Sequence, residues 1–386
     1  MAGAEQPELR ARDAAQPFEI VAQDPTSAAR SGRLVTLHAA VDTPAFMPVA
    51  THGSVKGLTP EQVAQLGIGM ILANVYHLSL RPGVSIIRGL GGLHRFVGWD
   101  AAILTDSGGY QIYSLAPLRR VHDEGVVFRS HLDGQRIALT PESVVQLQAD
   151  LGVDVLMPLD ECLGAVAERG AVEQAARRTT DWAERSRRVR LTAGQLLFGI
   201  VQGGVFADLR QQHAAQLAAL GFPGYAVGGL SVGEERGATR DIAAVTASAL
   251  PGERPRYLMG VGLPQDLLRF IGMGYDMFDC VLPTRNGRNG TYFTWSGRLN
   301  IRRAQYADDG APIEPDCTCY VCRTFSRAYL RHLARAGEML GAQLATLHNL
   351  HFYAELMRQA RVRIAAGSYA AWADARAQRM DDEERS

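Results

Sequence analysis

A chain of 386 residues with 47% hydrophobic content carries enough apolar side chain for one barrel-sized domain with additions, or for two domains. No run approaches the ~18 apolar residues of a membrane helix, so no transmembrane span is expected. A formal net charge of zero argues against a surface built to hold polyanions everywhere.

Met1 to Gln16 is polar and Ala-rich, without the basic-then-apolar order of a secretion signal, so a tail is expected over 1–16. Phe18 to Gln23 and Arg33 to His38 read as two strands around Asp24-Pro25-Thr26-Ser27, an N-terminal hairpin. Ala45 to Val49 is a short apolar strand. The segment after it has a Thr59 N-cap, Pro60 at the first helical position, Glu61 in the first turn and Gly67 at the exit. Met70 to Ala73 and Ile103 to Asp106 are the next strands.

Val126 to Leu132 and Gln135 to Leu139 flank Asp133-Gly134, a two-residue hairpin signal. Thr140-Pro141-Glu142 repeats the earlier helix start. Val153 to Met157 is the fourth strand, followed by a helix over Glu173 to Arg190. Leu196 to Val201 is the fifth, with a helix over Ala207 to Leu220. Tyr225 to Val227, Arg256 to Met259 and Met277-Phe278 complete the series.

Eight short apolar strands alternating with helices indicate a parallel α/β fold, and a (β/α)8 barrel fits the count best. A doubly wound sheet is the runner-up, but no glycine-rich dinucleotide fingerprint follows the first strand. One catalytic domain over 17–377 is expected, with a charged tail over 378–386.

A barrel directs chemistry to the C-terminal ends of its strands. Read in order, those ends are Asp106-Ser107-Gly108-Gly109-Tyr110, Asp160-Glu161-Cys162, Gln202-Gly203-Gly204, Gly228 to Glu234, Met259 to Gly262, and Asp279. Any one cluster could merely cap a turn, but so many at one mouth point to a shared pocket for a flat, hydrogen-bonding ligand. One Asp would act as nucleophile or base, a second Asp and the Gln would read donors and acceptors, and Tyr110 would offer a stacking face. Asp279 stands out because it interrupts an apolar strand, where an unpaired ion costs several kcal/mol.

Five cysteines is an odd count, and Cys317, Cys319 and Cys322 cluster within six residues. That pattern fits metal binding in a reducing compartment better than disulfides, which makes the cytoplasm the expected location. Three thiolates plus a histidine make a closed, structural zinc site. His348 and His351 lie three apart on one helix, over Gly337 to Met357, and spacing alone does not separate them. Between Arg285 and Arg335, nine arginines stand against four acids, a local balance of +5. Arginine replaces lysine almost everywhere in the chain, Lys56 being the one exception, which weakens any reading of this run as a phosphate patch.

The segments Thr105 to Gln111, Ser130 to Gly134, Tyr225 to Glu234, Tyr257 to Gly262, Met277 to Gly290 and the Cys/His set together resemble the bacterial tRNA-guanine transglycosylases. The resemblance runs from about Phe18 to about Ala375. It implies an irregular (β/α)8 barrel with a zinc subdomain at about 285–358, and exchange of the wobble guanine in tRNAs with G-U-N anticodons for 7-aminomethyl-7-deazaguanine (preQ1). Asp279 would be the nucleophile and Asp106 the general acid/base. Asp160, Gln202, Gly229 and Leu230 would read the base, with Tyr110 and Met259 sandwiching it. Ser107 and Gly260 belong to the same implied pocket, and Cys162, Val232 and Glu234 shape its far end. Cys317, Cys319, Cys322 and His348 would hold one structural Zn2+. Arg285, Arg288, Arg302, Arg303 and Asp266 would meet the anticodon loop, and the assembly would be a homodimer.

This chemistry suits the residues. Cleaving an N-glycosidic bond while keeping the RNA intact favours a covalent carboxylate intermediate, and two displacements retain the β configuration. The chain departs from the family pattern at Leu263, where a Lys is common, in Glu161-Cys162-Leu163-Gly164, which lacks the usual prolines, and at Gly204 in place of Ser. Val232 and Cys162 point to the small aminomethyl base over bulky queuine, whereas Ser231 leans the other way. A non-catalytic RNA-binding subunit is the competing reading, opposed by the presence of both Asp279 and Asp106. A hydrolase with catalytic zinc is the other.

Overall fold

The computed structural model describes residues 17–109, 119–130, 132 and 134–385, so the tail expected over 1–16 and the turn residue Asp133 lie outside it. The N-terminal unit is a three-stranded antiparallel sheet of β1 (Phe18–Gln23), β2 (Arg30–Val35) and β3 (Ala40–Thr43), rather than a two-stranded hairpin. The difference has a local cause. Asp24 closes the first turn by accepting from Thr26 Oγ1 (2.9 Å) and Ser27 Oγ (2.8 Å), so β2 starts early. Thr36 then donates its hydroxyl to the Ala39 carbonyl (2.7 Å), which ends β2 at Val35 and turns the chain into β3.

The parallel strands follow: β4 (Ala45–Pro48), β5 (Met70–Asn74) and β6 (Ala102–Asp106). A three-stranded antiparallel excursion, β7 (Arg119–His122), β8 (Gly125–Arg129) and β9 (Arg136–Leu139), precedes β10 (Val155–Leu156). Next come β11 (Leu196–Leu197), β12 (Gly199–Val201), β13 (Tyr225–Val227), β14 (Arg256–Leu258) and β15 (Met277–Cys280). They form two parallel sheets, β11-β10-β6-β5 and β12-β13-β14-β15-β4. The expected fifth strand is split at Phe198. Phe198 N–H donates to Leu156 (3.1 Å) and Gly199 N–H to Gly224 (3.0 Å), so the chain passes from one sheet to the other there. At the opposite edges a parallel bridge joins Val49 and Leu72.

Alternation along these strands explains why they read as unbroken apolar runs. Met47, Leu72, Leu104, Val155, Ile200 and Met277 pack in one buried cluster with Phe18, Leu34 and Val41 of the antiparallel sheet. Phe46, Ile71, Ile103, Leu156, Val201 and Phe278 face the other way, into the cluster shared with the helices. Each fully buried side chain of this size contributes about 1.5–3 kcal/mol. The helix Pro60–Gln65 and the helix Pro141–Leu151 both begin with a complete capping box, on Thr59 and Thr140.

Two aspartates at the strand beginnings are fully engaged. Asp154 accepts from Ile103 N–H (2.8 Å) and His38 N–H (2.8 Å) and lies 3.0 Å from ring nitrogens of both His38 and His94. Asp276 binds the Arg30 guanidinium and the Arg256 N–H (2.7 Å). These staple the end of the sheets away from the pocket.

After β15 the helix Leu282–Arg288 leads into a hairpin of β16 (Thr291–Thr294) and β17 (Gly297–Asn300). Tyr292, Ile301, Val321, Leu330 and Leu344 form a separate buried cluster here with Cys319 and Cys322. The helix Met339–Ala365 runs eight residues past the expected end at Met357. The sequence reading of 378–386 as a tail is corrected by the last helix, Tyr369–Arg385, in which Met380 is buried and Asp381 pairs with Arg269. No helix among the described residues is long and apolar enough to cross a membrane.

Candidate active site and metal centre

The strand ends converge on a cavity of about 340 Å³. Asp106 is the last residue of β6, and Asp279 lies within β15, so two paired-sheet frameworks aim carboxylates at one space. Asp160, Cys162, Gln202, Gly229, Leu230, Val232, Met259 and Gly260 line the same cavity. Ser107 is fully buried beside it, its hydroxyl accepting from Gly109 N–H (3.3 Å). Tyr110 lies outside the described residues.

Asp279 Oδ1 accepts from the Tyr257 hydroxyl (2.6 Å) and from Gly260 N–H (2.7 Å). Both bonds fall on one oxygen, which orients the carboxylate and leaves Oδ2 without a hydrogen-bond partner among the described residues. Gly260, expected to meet the base, thus also serves the proposed nucleophile. Burial raises the Asp279 pKa against the pull of those two donors. Asp106 receives Asn74 Nδ2 (3.2 Å), and burial, then the charges of Asp160 and Asp279, push its pKa up to about 7. A carboxyl with that value can hold a proton at neutral pH and release it on demand. The carboxylates interact, so they titrate as a coupled set.

Asp160 is buried and accepts Gln202 Nε2 (2.7 Å); burial pushes its pKa up to about 6. Together they offer an acceptor and an amide edge side by side. Glycine is required next to them. A Cβ on Gly109 would stand 2.3 Å from Asp160 Oδ1, and one on Gly229, whose φ is +66°, 2.3 Å from Gln202 Oε1. Beyond Gly229, Glu234 accepts the N–H groups of Ser231 and Val232 (3.0 Å to the latter) and the Thr239 hydroxyl (2.7 Å). Because Ser231 N–H is turned to Glu234, the Leu230 carbonyl at the other end of that peptide faces away from Glu234.

Arg285 is exposed and borders the cavity; Arg288 is exposed at the end of the same helix, and Arg302 and Arg303 are exposed after the hairpin that follows. Asp266 does not join them. It is buried, with Oδ1 2.7 Å from Arg240 Nη2 and Oδ2 3.1 Å from Arg236 Nη2, and so sits in an ion-pair network.

Cys317, Cys319, Cys322 and His348 bring their ligand atoms within 4.8 Å of one another. His348 Nδ1 lies 3.5 Å from Cys319 Sγ and 3.4 Å from Cys322 Sγ, while Nε2 meets the Phe293 carbonyl at 2.9 Å. That carbonyl fixes the tautomer with the proton on Nε2 and leaves Nδ1 for a metal, the arrangement expected around a ligating histidine. The geometry chooses His348 over His351, which is not part of the cluster.

A family model described as queuine tRNA-ribosyltransferase matches residues 24–382. Proteins named queuine tRNA-ribosyltransferase are similar along most of their length. That of Solidesulfovibrio magneticus is 54% identical over 89% of this chain and 93% of its own. Those of Pelotomaculum thermopropionicum and Thermoanaerobacter sp. are 52% and 50% identical over 91% of this chain, and 95% and 94% of theirs. The chain belongs to the queuine tRNA-ribosyltransferase family.

For a queuine tRNA-ribosyltransferase family member, sequence reading missed three residues that shape the pocket from behind. Tyr257 was visible only as part of a motif, yet its hydroxyl holds Asp279. Arg210 and His213 sit on the helix Ala207–Leu220; His213 Nδ1 accepts Gln202 N–H (2.8 Å), and burial pulls its pKa down to about 4. The signal was there: positions 209, 210, 213, 214 and 217 make the buried stripe of that helix, and two of the five are ionisable.

Proposed function

We propose that this protein is a tRNA-guanine transglycosylase that exchanges the wobble guanine of G-U-N tRNAs for preQ1 through a covalent Asp279–ribose intermediate. The observation that carries this is the pairing of Asp279, oriented through one oxygen, with Asp106, whose pKa burial and its neighbouring carboxylates push up to about 7, in a cavity that also offers Asp160 and Gln202. An Asp279 oxygen bonds to C1′ of the ribose as the C1′–N9 bond breaks, and its electron pair leaves on guanine. Asp106 supplies the proton that neutralises the departing base. In the second half the incoming base returns its N9 proton to Asp106, attacks C1′ and releases the Asp279 carboxylate. The wobble base must leave the anticodon stack to reach these groups, which single-stranded loops permit.

The relatives' name gives queuine as their base. We assign the smaller base here because Val232 and Cys162 line the cavity together with Leu230, whose carbonyl suits the cationic aminomethyl group. The fold reading that accompanies this is one (β/α)8 barrel, supported by the Phe198 crossing and the Val49–Leu72 bridge between the two sheets. Zinc is the metal that three thiolates and an imidazole favour, and four protein ligands leave no position for a reacting water, so its role is to stabilise the C-terminal unit. A cytoplasmic homodimer completes the reading, with Arg285, Arg288, Arg302 and Arg303 along the RNA.

The test is exchange of labelled guanine into a G-U-N tRNA, with denaturing gels to trap the adduct. Wild type should exchange and form a protein–RNA band, and Asp279→Asn should bind tRNA but form none. An adduct that survives the substitution would move the nucleophile elsewhere, Asp106 first.

A further inference from the structure

Behind the base-reading edge lies an arginine to which the exchange reaction assigns no role. Arg210 is fully buried, and its guanidinium donates only to main-chain carbonyls. Nε binds Gly204 (2.9 Å), Nη1 binds Val201 (3.1 Å) and Gly228 (2.7 Å), and Nη2 binds Gly229 (3.1 Å). Burial pulls its pKa down only to about 10, so the charge persists at neutral pH. A buried cation costs several kcal/mol unless anions offset it, and the carboxylate that favours this charge, Glu234, accepts no hydrogen bond from it. A mere clamp on two strand ends could have been built from neutral donors.

The shortest of the four bonds reaches the peptide joining Gly228 and Gly229. Its carbonyl end takes the guanidinium, and its other end is the Gly229 N–H at the cavity. Drawing charge from a carbonyl strengthens the N–H of the same peptide as a donor. When the C1′–N9 bond breaks, the purine receives the electron pair and spreads it from N9 to the exocyclic oxygen. That oxygen is the group a Gly229 N–H beside Gln202 would hold.

We infer that Arg210 is a positioning residue that polarises the Gly228–Gly229 peptide, so that the Gly229 N–H stabilises the departing guanine anion more than the bound neutral base. This rests on the base-exchange reading above. The bond changes are those already given: Asp279 oxygen to C1′ forms, C1′–N9 breaks, and Asp106 neutralises the purine anion.

The experiment measures the single-turnover rate of adduct formation, guanine affinity and thermal midpoint for wild type, Arg210→Gln and Arg210→Lys. Losing a transition-state donor outright slows reactions by about a hundredfold or more, so weakening one by removing its polarising charge should cost on the order of tenfold. Arg210→Gln should therefore slow adduct formation about tenfold while guanine affinity changes far less. Arg210→Lys keeps the charge and loses carbonyl bonds, so its midpoint should fall while its rate stays near wild type. A Gln variant as fast as wild type overturns the inference, as does one whose guanine affinity falls as far as its rate. If Arg210→Gln does not fold, the Lys variant decides alone: a tenfold loss of rate in it means that the residue acts only as a clamp. Absence of any adduct with wild type would instead overturn the base-exchange reading itself, and this inference with it.

Discussion

Removing the Tyr257 hydroxyl tests how Asp279 is kept ready. Tyr257 is fully buried, and Phe preserves its ring packing, so Tyr257→Phe deletes little more than the 2.6 Å bond to Asp279 Oδ1. A hydrogen bond to a charged group is worth about 1.5–3 kcal/mol. At 1.36 kcal/mol per pKa unit, losing it should raise the Asp279 pKa by about 1–2 units. The carboxylate must be ionised to attack, so the acid limb of the pH–rate profile should move up by the same about 1–2 units. Single-turnover adduct formation measured from pH 4 to 9 reports this limb. Stability gives an independent sign. Asp279 already has a raised pKa, and raising it further removes stability only where the group is ionised. The variant should match wild type in acid, where Asp279 is protonated in both, and fall behind as pH rises through the raised pKa. An unmoved acid limb, or a destabilisation that is the same at every pH, would refute this account of the tyrosine.

Three further outcomes are expected. Cys319→Ala should release the bound metal and lower the thermal midpoint, because metal binding and local folding share one free energy; full metal content by elemental analysis would count against the site. The affinity for tRNA should fall with salt, and Arg288→Gln should flatten that log–log slope by about 0.7, the value per neutralised single-strand phosphate; an unchanged slope would remove Arg288 from the interface. In competition for guanine-labelled tRNA, preQ1 should release label much faster than queuine, and Val232→Gly should narrow the gap; equal release by wild type would end the steric argument.

The parallel strands were legible because burial on both faces writes them as short, unbroken apolar runs, and Thr59 and Thr140 announced their helices through local capping chemistry. Asp106, Asp160, Gln202 and Asp279 were legible because polar residues at the ends of such runs need a reason. What escaped depended on partners distant in sequence. The split at Phe198 follows from neighbours on two different strands, and the third strand of the first sheet was hidden by a turn that only the Thr36 hydroxyl reveals. Arg210 escaped because an arginine in an Ala- and Gln-rich helix looks like surface until the helix is docked. The ion pairs of Asp266 escaped for a related reason: Arg236 and Arg240 lie one helix earlier, and only packing brings them to it.

The candidate metal site is tied to the segment that follows Asp279. Asn349 follows His348 on the same helix and binds Phe293 N–H (2.9 Å), the Thr291 carbonyl (3.0 Å) and the Pro283 carbonyl (2.9 Å). Pro283 belongs to the helix that leaves Asp279 and bears Arg285 and Arg288. The cysteine–histidine cluster therefore anchors, at one remove, the cationic segment next to Asp279. Chelation or thiol oxidation would slacken that segment while the carboxylates and Gln202 stayed in place on their strands. On the proposed reading, loss of a metal from this cluster would separate two properties of the protein: base binding would persist, while tRNA binding through the helix that bears Arg285 and Arg288 would weaken.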